Sequence, residues 1–231
     1  MPYLGVPVNE LRIHVDTSSP NRPLVRLLVD GTALLTADGH DTPNDPADIL
    51  DTGALLPASP ARRVAFYGCG CGEFGCSSVA GLVVEDADQV AWKDFRAVTG
   101  TYVSALPEPE DGPDPVEAAD QDLPARPLDL PTLTFDRARY LAVVRAAMAD
   151  RSWETRARAV VRHLRSLRPG MTHWAAEERD AVTIHHQVGD MVWSTDVPLP
   201  PGRPEHLAAS LLVLLDDGVD PRRISAEGLW R

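Results

Sequence analysis

All three cysteines of this 231-residue chain fall within eight residues, in the run Tyr67-Gly-Cys-Gly-Cys-Gly-Glu-Phe-Gly-Cys76. A free cysteine usually behaves as a small core hydrophobe, so packing alone would scatter three of them along the chain. Here they form a C-x-C-x4-C pattern with glycines between them, and glycine lets the backbone bring several thiolates to one point. Cys69, Cys71 and Cys76 are therefore candidate metal ligands. Zinc is the favoured metal, and an iron–sulfur centre is the less favoured alternative.

A tetrahedral zinc site needs a fourth ligand, and within the loop only Glu73 can supply it. His185 and His186 are adjacent; on a strand they would face opposite sides, so one of them can point inward. His40 and Asp94 are further candidates. A fourth position held by water would make the metal catalytic instead of structural.

Two hypotheses for the cysteine loop involve no metal. Cys-Gly-Cys lacks the C-x-x-C spacing of zinc knuckles, which leaves three free thiols as one alternative. A redox-active thiol pair is the other. The loop also matches G-x-G-x-x-G over residues 70–75, but a strand pattern follows where a dinucleotide fingerprint requires a helix.

The charge of the chain argues against nucleic acid as its main partner. It has 34 acidic and 22 basic residues and a net charge of −12, whereas phosphate neutralisation needs a cationic surface. The exception is an arginine ridge on one predicted helix face, a candidate partner-binding surface formed by Arg151, Arg158, Arg162 and Arg165. The alternative is an ordinary solvated face in a chain whose basic residues are nearly all arginine.

The sequence also indicates a compartment. The N-terminus lacks a basic region followed by an apolar run, so we predict no signal peptide. No apolar run approaches the roughly 20 residues of a membrane span. An odd number of cysteines argues against a disulfide framework, and we therefore predict a cytoplasmic protein.

Alternating apolar residues predict β-structure in the N-terminal part of the chain and on both sides of the cysteine loop. Asp30-Gly31 predicts a hairpin turn, and Asp45 followed by Pro46 predicts the start of a short helix ending at Leu50. The cysteines therefore lie on a connection between strands, in a β-rich lobe with a cysteine knuckle. The predicted strands are 11–15, 24–29, 32–35, 63–67, 78–84 and 89–95.

Further along the chain the periodicity becomes helical. Asp136 is the predicted N-cap of a helix ending at Ala149, and Ser152 that of a second helix ending at Leu167. A hairpin over 180–193 and a helix over 205–215 follow. The predicted fold class is α+β, with a β-rich N-terminal lobe and a mostly helical C-terminal lobe that contains one β-hairpin.

Residues 107–127 form the clearest break in composition, with seven acidic and several proline residues. We predict an acidic flexible linker or loop there, between domains at 1–106 and 128–231 that can also form a single domain. Tryptophans occur only within apolar patterns, so we predict core positions for Trp92, Trp153, Trp174, Trp193 and Trp230.

Three of these patterns resemble a group of bacterial, mainly actinobacterial, proteins that has no assigned function. They are the loop Cys69-Gly-Cys-Gly-x-x-Gly-Cys76, the strand Val90-Ala-Trp92, and the helix start Phe135-Asp-Arg-Ala-Arg-Tyr140. By motif the resemblance covers roughly a third of the chain. It implies that the cysteine loop and the helix start belong to one module, and it implies no catalytic residue.

Three function classes follow from the sequence. The first is a non-catalytic interaction or regulatory protein with a small structural zinc site, whose partner is another protein. The second is a metal- or thiol-dependent enzyme that uses Cys69, Cys71 and Cys76. The third, nucleic-acid binding through the arginine ridge, conflicts with the acidic charge of the chain.

Overall fold

The computed structural model describes residues 8–19, 22–34, 42–68, 76–100, 102, 104–107, 114, 116, 124–168, 173–175, 180–188 and 191–230, without the side chains of 173–175, 187–188, 191 and 226–227. The described residues form two compact units. Unit 1 lies within Met1–Ser18 and Pro23–Arg151, and unit 2 lies within Ser19–Arg22 and Ser152–Arg231. No helix in this part of the chain is long and apolar enough to cross a membrane.

Unit 1 contains two antiparallel sheets. The first has the order β1-β2-β3, and the second has the order β4-β5-β6-β7-β8, with β9 also paired to β7. The described part of the unit also contains helices α1 and α2. In chain order the elements are β1 (Leu11–Asp16), β2 (Leu24–Val29), β3 (Thr32–Ala33), β4 (Thr42–Pro43), α1 (Pro46–Ile49), β5 (Arg62–Gly68), β6 (Ser78–Glu85), β7 (Gln89–Val98), β8 (Arg126–Pro127), β9 (Leu133–Asp136) and α2 (Arg137–Ala149).

Local sequence signals set several of these boundaries. Asp30 and Gly31 both have positive φ, as a two-residue turn between β2 and β3 requires. Asp45 caps α1, with Pro46 in the first turn, and Asp136 caps α2 by accepting from the backbone N–H of Arg139 at 2.9 Å. These start signals were predicted from the sequence and are confirmed.

The core of unit 1 is aromatic. Trp92 on β7 lies at its centre, with ring centroids 4.5 Å from Phe66 on β5 and 5.0 Å from Phe135 on β9. Tyr140 on α2 closes the group at 6.1 Å from Trp92. The sheet and the helix α2 are thus held together by the burial of large apolar rings.

Unit 2 is a three-stranded antiparallel sheet of order β10-β11-β12, packed against helices through one apolar cluster. The second predicted long helix begins later than expected: Thr155, not Ser152, is its N-cap, because Trp153 is buried in the preceding turn. In chain order the elements are α3 (Arg156–Leu167), β10 (His173–Ala175), β11 (Ala181–Val188), β12 (Met191–Pro198), α4 (Pro204–Asp216) and α5 (Pro221–Glu227).

The predicted fold class is wrong in its second half. The described chain is strand-rich, with three sheets and five short helices, and it has no mostly helical C-terminal lobe. Helix α2, which the prediction gave to that lobe, packs on β1, β7 and β9 of unit 1. The predicted hairpin forms, but β10 adds a third strand to it, because a hairpin alone buries too little surface to be stable.

The predicted linker 107–127 lies mostly outside the described residues. Its described members contact the sheet of unit 1: Asp114 pairs with Arg63, Val116 packs on a small cluster around Tyr102, and β8 pairs with β7. The change from one compact unit to the other falls between Arg151 and Ser152.

Candidate functional site

The β11–β12 hairpin of unit 2 has one apolar face. The two strands pair without a register shift from Ala181↔Pro198 to Val188↔Met191. Because side chains alternate between faces along a strand, Val182, Ile184 and Val197 all point toward the helices. All three are buried in the same cluster as residues of α3 and α4. This burial fixes which face of the hairpin is turned inward.

The opposite face of the hairpin is polar. The hydroxyl of Thr183 donates to Asp196 Oδ1 at 2.7 Å. One step nearer the turn, Ser194 Oγ and His185 Nδ1 are hydrogen-bonded at 2.8 Å. These cross-strand bonds stabilise the pairing of β11 with β12.

The outer edge of β12 is defined by the alternation of hydrogen bonds in an antiparallel pair. The N–H of Leu199 donates to the carbonyl of Asp180 at 3.0 Å, so these two residues form a hydrogen-bonding pair. Counting back from Leu199, every second residue of β12 forms backbone hydrogen bonds with β11. The residues between them direct their N–H and C=O groups away from β11. These outward-directed residues are Val192, Ser194 and Asp196.

The far end of this edge is covered. The next outward-directed carbonyl, that of Pro198, accepts from the indole N–H of Trp230 at 3.1 Å. Helix α5 also packs on β12. Among the described residues no strand pairs with the outer edge of β12. The accessible part of β12 is the stretch near the turn, since residues 192–194 are exposed whereas residues 195–197 are half-buried or buried.

The same stretch exposes two large apolar side chains. Val192 is 73% exposed and Trp193 is 51% exposed. They lie on opposite faces of the strand, since they are consecutive. Within the described part of the chain they are also the one sequence-adjacent pair among the exposed large hydrophobic residues. The turn end of the hairpin thus extends past the core, and we call Val192, Trp193 and Ser194 the β12 edge.

A histidine adjoins this edge on the inward face. His186 is the cross-strand partner of Trp193. Both its ring nitrogens are shielded from solvent and have no hydrogen-bond partner among the described residues. The pKa of Asp220, the N-cap of α5, is lowered to about 2, because the side chain and backbone N–H of Arg222 donate to it. Asp220 is therefore an anion at neutral pH.

The expectation of a metal-binding protein is corrected at this point. The described residues contain no group of three or more His, Cys, Asp or Glu side chains that could hold a metal ion. His185 is bonded to Ser194, and the ring nitrogens of His186 are enclosed in unit 2. Cys69, Cys71, Glu73 and His40 lie outside the described residues.

Cys76 is the one predicted cysteine ligand that the structure describes. It is an exposed free thiol at a turn two residues before β6. Gly68 and Ser78, which flank the cysteine segment, pair with each other across β5 and β6. The segment therefore connects two adjacent strands, as predicted, but zinc as its cofactor stays a prediction that these residues do not test.

The arginine ridge is largely engaged within the chain. Arg151 pairs with Asp51, and Arg162 donates to both carboxylate oxygens of Glu154, at 2.7 and 2.9 Å. The guanidinium of Arg158 lies 5.9 Å from the ring centroid of Trp153. Arg165, in the last turn of α3, also has an interaction partner. Arg151 lies five residues before α3 and belongs to unit 1, so the four arginines do not share one helix face as predicted. A role in binding a partner stays a prediction.

Unit 1 holds the most strongly charged buried cluster of the described residues. The side chain of Arg63 is 2% exposed, and its Nε donates to Asp114 Oδ1 at 2.8 Å. Its Nη2 donates to Asp94 Oδ2 at 2.6 Å, and its Nη1 donates to the main-chain oxygen of Asp94. A guanidinium keeps its proton at all ordinary pH values. The cluster is therefore an ion-pair clamp inside the fold and not an acid–base site.

No family model, curated protein or solved structure matches the chain. The resemblance to the actinobacterial group therefore stays a prediction. The motif residues Trp92, Phe135 and Tyr140 are packed against each other in the core of unit 1. Burial is a sufficient physical reason for these residue types.

Sequence reasoning missed the β12 edge. The hairpin was predicted, but Trp193 was expected in the core together with Trp92 and Trp153, which are indeed buried. The one signal in the sequence that could have indicated an exposed end was the length of the two hairpin strands. Each strand has eight residues, and the buried apolar residues Val182, Ile184 and Val197 all lie in the half of the hairpin away from the turn.

Proposed function

We propose that the chain is a non-catalytic protein-binding module in which the β12 edge accepts an extended segment of another protein as an additional strand. One observation carries the proposal. The end of an edge strand presents outward-directed backbone groups together with two exposed apolar side chains, Val192 and Trp193. This combination is what strand addition uses, since main-chain hydrogen bonds supply affinity and alternate side chains supply specificity.

The absence of protection along this stretch supports the proposal. Proteins usually guard an edge strand with lysine, proline or a bulge, because an uncovered edge pairs with other chains. Residues 192–196 contain no lysine and no proline, and β12 has no register shift against β11. At the other end of β12, Trp230 donates to the carbonyl of Pro198.

The exposure of these side chains is also better explained by a role in binding than by a role in stability. A tryptophan that is half exposed leaves much of its apolar surface in water, and burying it would be favourable at about 25 cal/mol per Å². Trp is among the residues most enriched at the energetic centres of interfaces. Trp193 thus gives the edge an anchor that a docked strand can cover.

The test is site-specific photo-crosslinking in the native host. A photoreactive phenylalanine replaces Val192, and in a matched protein it replaces Val213, which is also exposed but lies on α4. We expect a discrete covalent adduct from position 192 that position 213 does not give. Mass spectrometry of the adduct should place the crosslink in one segment of the partner.

Two variants at Ser194 decide whether that adduct depends on strand pairing. Ser194→Pro removes the outward N–H and adds a ring at the edge, whereas Ser194→Ala removes only the hydroxyl that bonds His185. The adduct should be lost in Ser194→Pro and kept in Ser194→Ala. Equal adducts in both variants, or the same adducts from position 213, would contradict strand addition at β12.

A further inference from the structure

We infer that the segment accepted by the β12 edge carries a lysine or arginine on the face where Trp193 lies. This inference rests on the proposed function and names the chemistry of its partner. It follows from the alternation of the edge, from the half-exposed indole on one of its faces, and from the charge of the chain.

The edge itself defines two faces for an incoming strand. A strand added to β12 pairs with the outward-directed backbone of Val192 and Ser194, and its own side chains alternate between the faces. Every second side chain therefore lies on the side of Trp193, and the remaining ones lie on the side of Val192. A shift by one residue exchanges the two sets, so the two faces can require different residue types.

The Trp193 face suits a cation. A half-exposed indole offers its negative π-face, and Trp is the best aromatic partner for lysine or arginine. Unit 2 already contains such a pair, with Arg158 5.9 Å from the ring centroid of Trp153. The hairpin strands 181–188 and 191–198 contain no lysine or arginine of their own. A cation for Trp193 must therefore come from elsewhere.

The charge of the whole chain acts in the same direction. At long range the net charge of −12 raises the local concentration of a basic partner.

The length of the pairing is limited on one side. Trp230 occupies the carbonyl of Pro198, so an added strand pairs with Val192, Ser194 and Asp196 and must end or turn away there. In the other direction it can continue past the turn of the hairpin. The fitting partner is thus a short extended segment with alternate basic residues.

The experiment uses the full chain and three blocked seven-residue peptides that alternate valine with lysine, glutamine or glutamate. Affinities are measured by isothermal titration calorimetry at 0.15 and 0.5 M salt, because the higher salt screens long-range attraction. We expect the lysine peptide to bind about two- to fivefold tighter than the glutamine peptide at high salt, the size of an exposed cation–π contact. The glutamate peptide should bind most weakly.

Variants separate this inference from the proposed function. Trp193→Leu should remove the preference for lysine over glutamine, and Trp193→Phe should keep part of it, because phenylalanine retains a π-face. Equal affinity of the two peptides, or a preference that persists in Trp193→Leu, overturns the inference. If Ser194→Pro still weakens all peptides, the proposed function survives that result. Peptide binding that is absent, or insensitive to Ser194→Pro, overturns both.

Discussion

The indole N–H of Trp92 donates to the hydroxyl of Tyr140 at 3.0 Å, and that hydroxyl donates onward to the carbonyl of Leu55 at 2.7 Å. The two rings lie nearly perpendicular, at 84°, in the centre of unit 1. This chain of bonds joins strand β7, helix α2 and the loop after α1. Burial raises the pKa of the Tyr140 hydroxyl far above its usual range, so it stays protonated and can both accept and donate.

Tyr140→Phe should lower the free energy of unfolding by about 1–3 kcal/mol, because it leaves a buried indole N–H and a carbonyl without their partner. Urea unfolding at neutral pH measures the change. Tyr102→Phe is the matched control, since the buried hydroxyl of Tyr102 donates to the carbonyl of Arg63 at 3.1 Å but is not bonded to an indole N–H. Equal losses in the two variants would show that the Trp92–Tyr140 hydrogen bond adds nothing measurable to the free energy of unfolding.

The clamp around Arg63 should be more sensitive to the loss of its carboxylates than to the loss of the arginine. Asp94→Asn/Asp114→Asn leaves a guanidinium buried without a counter-charge, and we expect a loss of about 3–5 kcal/mol. Arg63→Met leaves two carboxylates that are 37% and 29% exposed and can hydrate, so its cost should be smaller. Asparagine tolerates the positive φ of Asp94, 49°, which makes the first substitution conservative for the backbone.

Urea unfolding of Arg63→Met and of the double asparagine variant at pH 7 shows which substitution lowers the free energy of unfolding more. Arg12→Ala is the control, because its pair with Glu10 is 64% exposed on both sides and should contribute less than about 1 kcal/mol. A larger loss in Arg63→Met than in the double asparagine variant would contradict the expected order.

Acid should weaken the same clamp. Burial raises the pKa of Asp94 and of Asp114, but hydrogen bonds from Arg63 outweigh it, and both values lie below the ordinary 3.8. A lowered folded-state pKa stabilises the protein above the unfolded-state pKa, and this contribution is lost as the pH falls through the folded value. Between pH 5 and pH 2.5 the free energy of unfolding should therefore fall less steeply in Arg63→Met than in the unchanged chain. Parallel curves would show that Arg63 does not set these pKa values.

Local signals in the sequence were enough to predict most single elements but not how they combine. Asp45 with Pro46, Asp136, and the Asp30-Gly31 turn each act within a few residues, and each is where it was expected. By contrast, Arg63 meets Asp94 and Asp114 across 31 and 51 residues of chain. No local pattern marks such a contact, because only the tertiary fold brings these three residues together.

The candidate site was predicted only in part, for a related reason. Alternation along 180–193 predicts a hairpin and places His186 and Trp193 among its residues. It does not indicate how far the covering helices extend, and this decides that Val197 is buried while Trp193 is half exposed. Exposure depends on the packing partner, which the sequence of one strand does not contain.

Gly81 on β6 lies where the sheet leaves no room for a side chain. A Cβ there would come within 2.9 Å of Phe95 Cδ1 and 3.1 Å of Phe66 Cε2, both in the aromatic core. Gly81→Ala should therefore cost about 1–3 kcal/mol through overpacking. Gly68 ends the neighbouring strand β5 and is also buried, but a Cβ there meets no described atom within 4 Å, so Gly68→Ala should cost less than Gly81→Ala. Thermal and urea unfolding of both variants measure the difference, and equal stability would mean that the rings of Phe66 and Phe95 can move aside without cost.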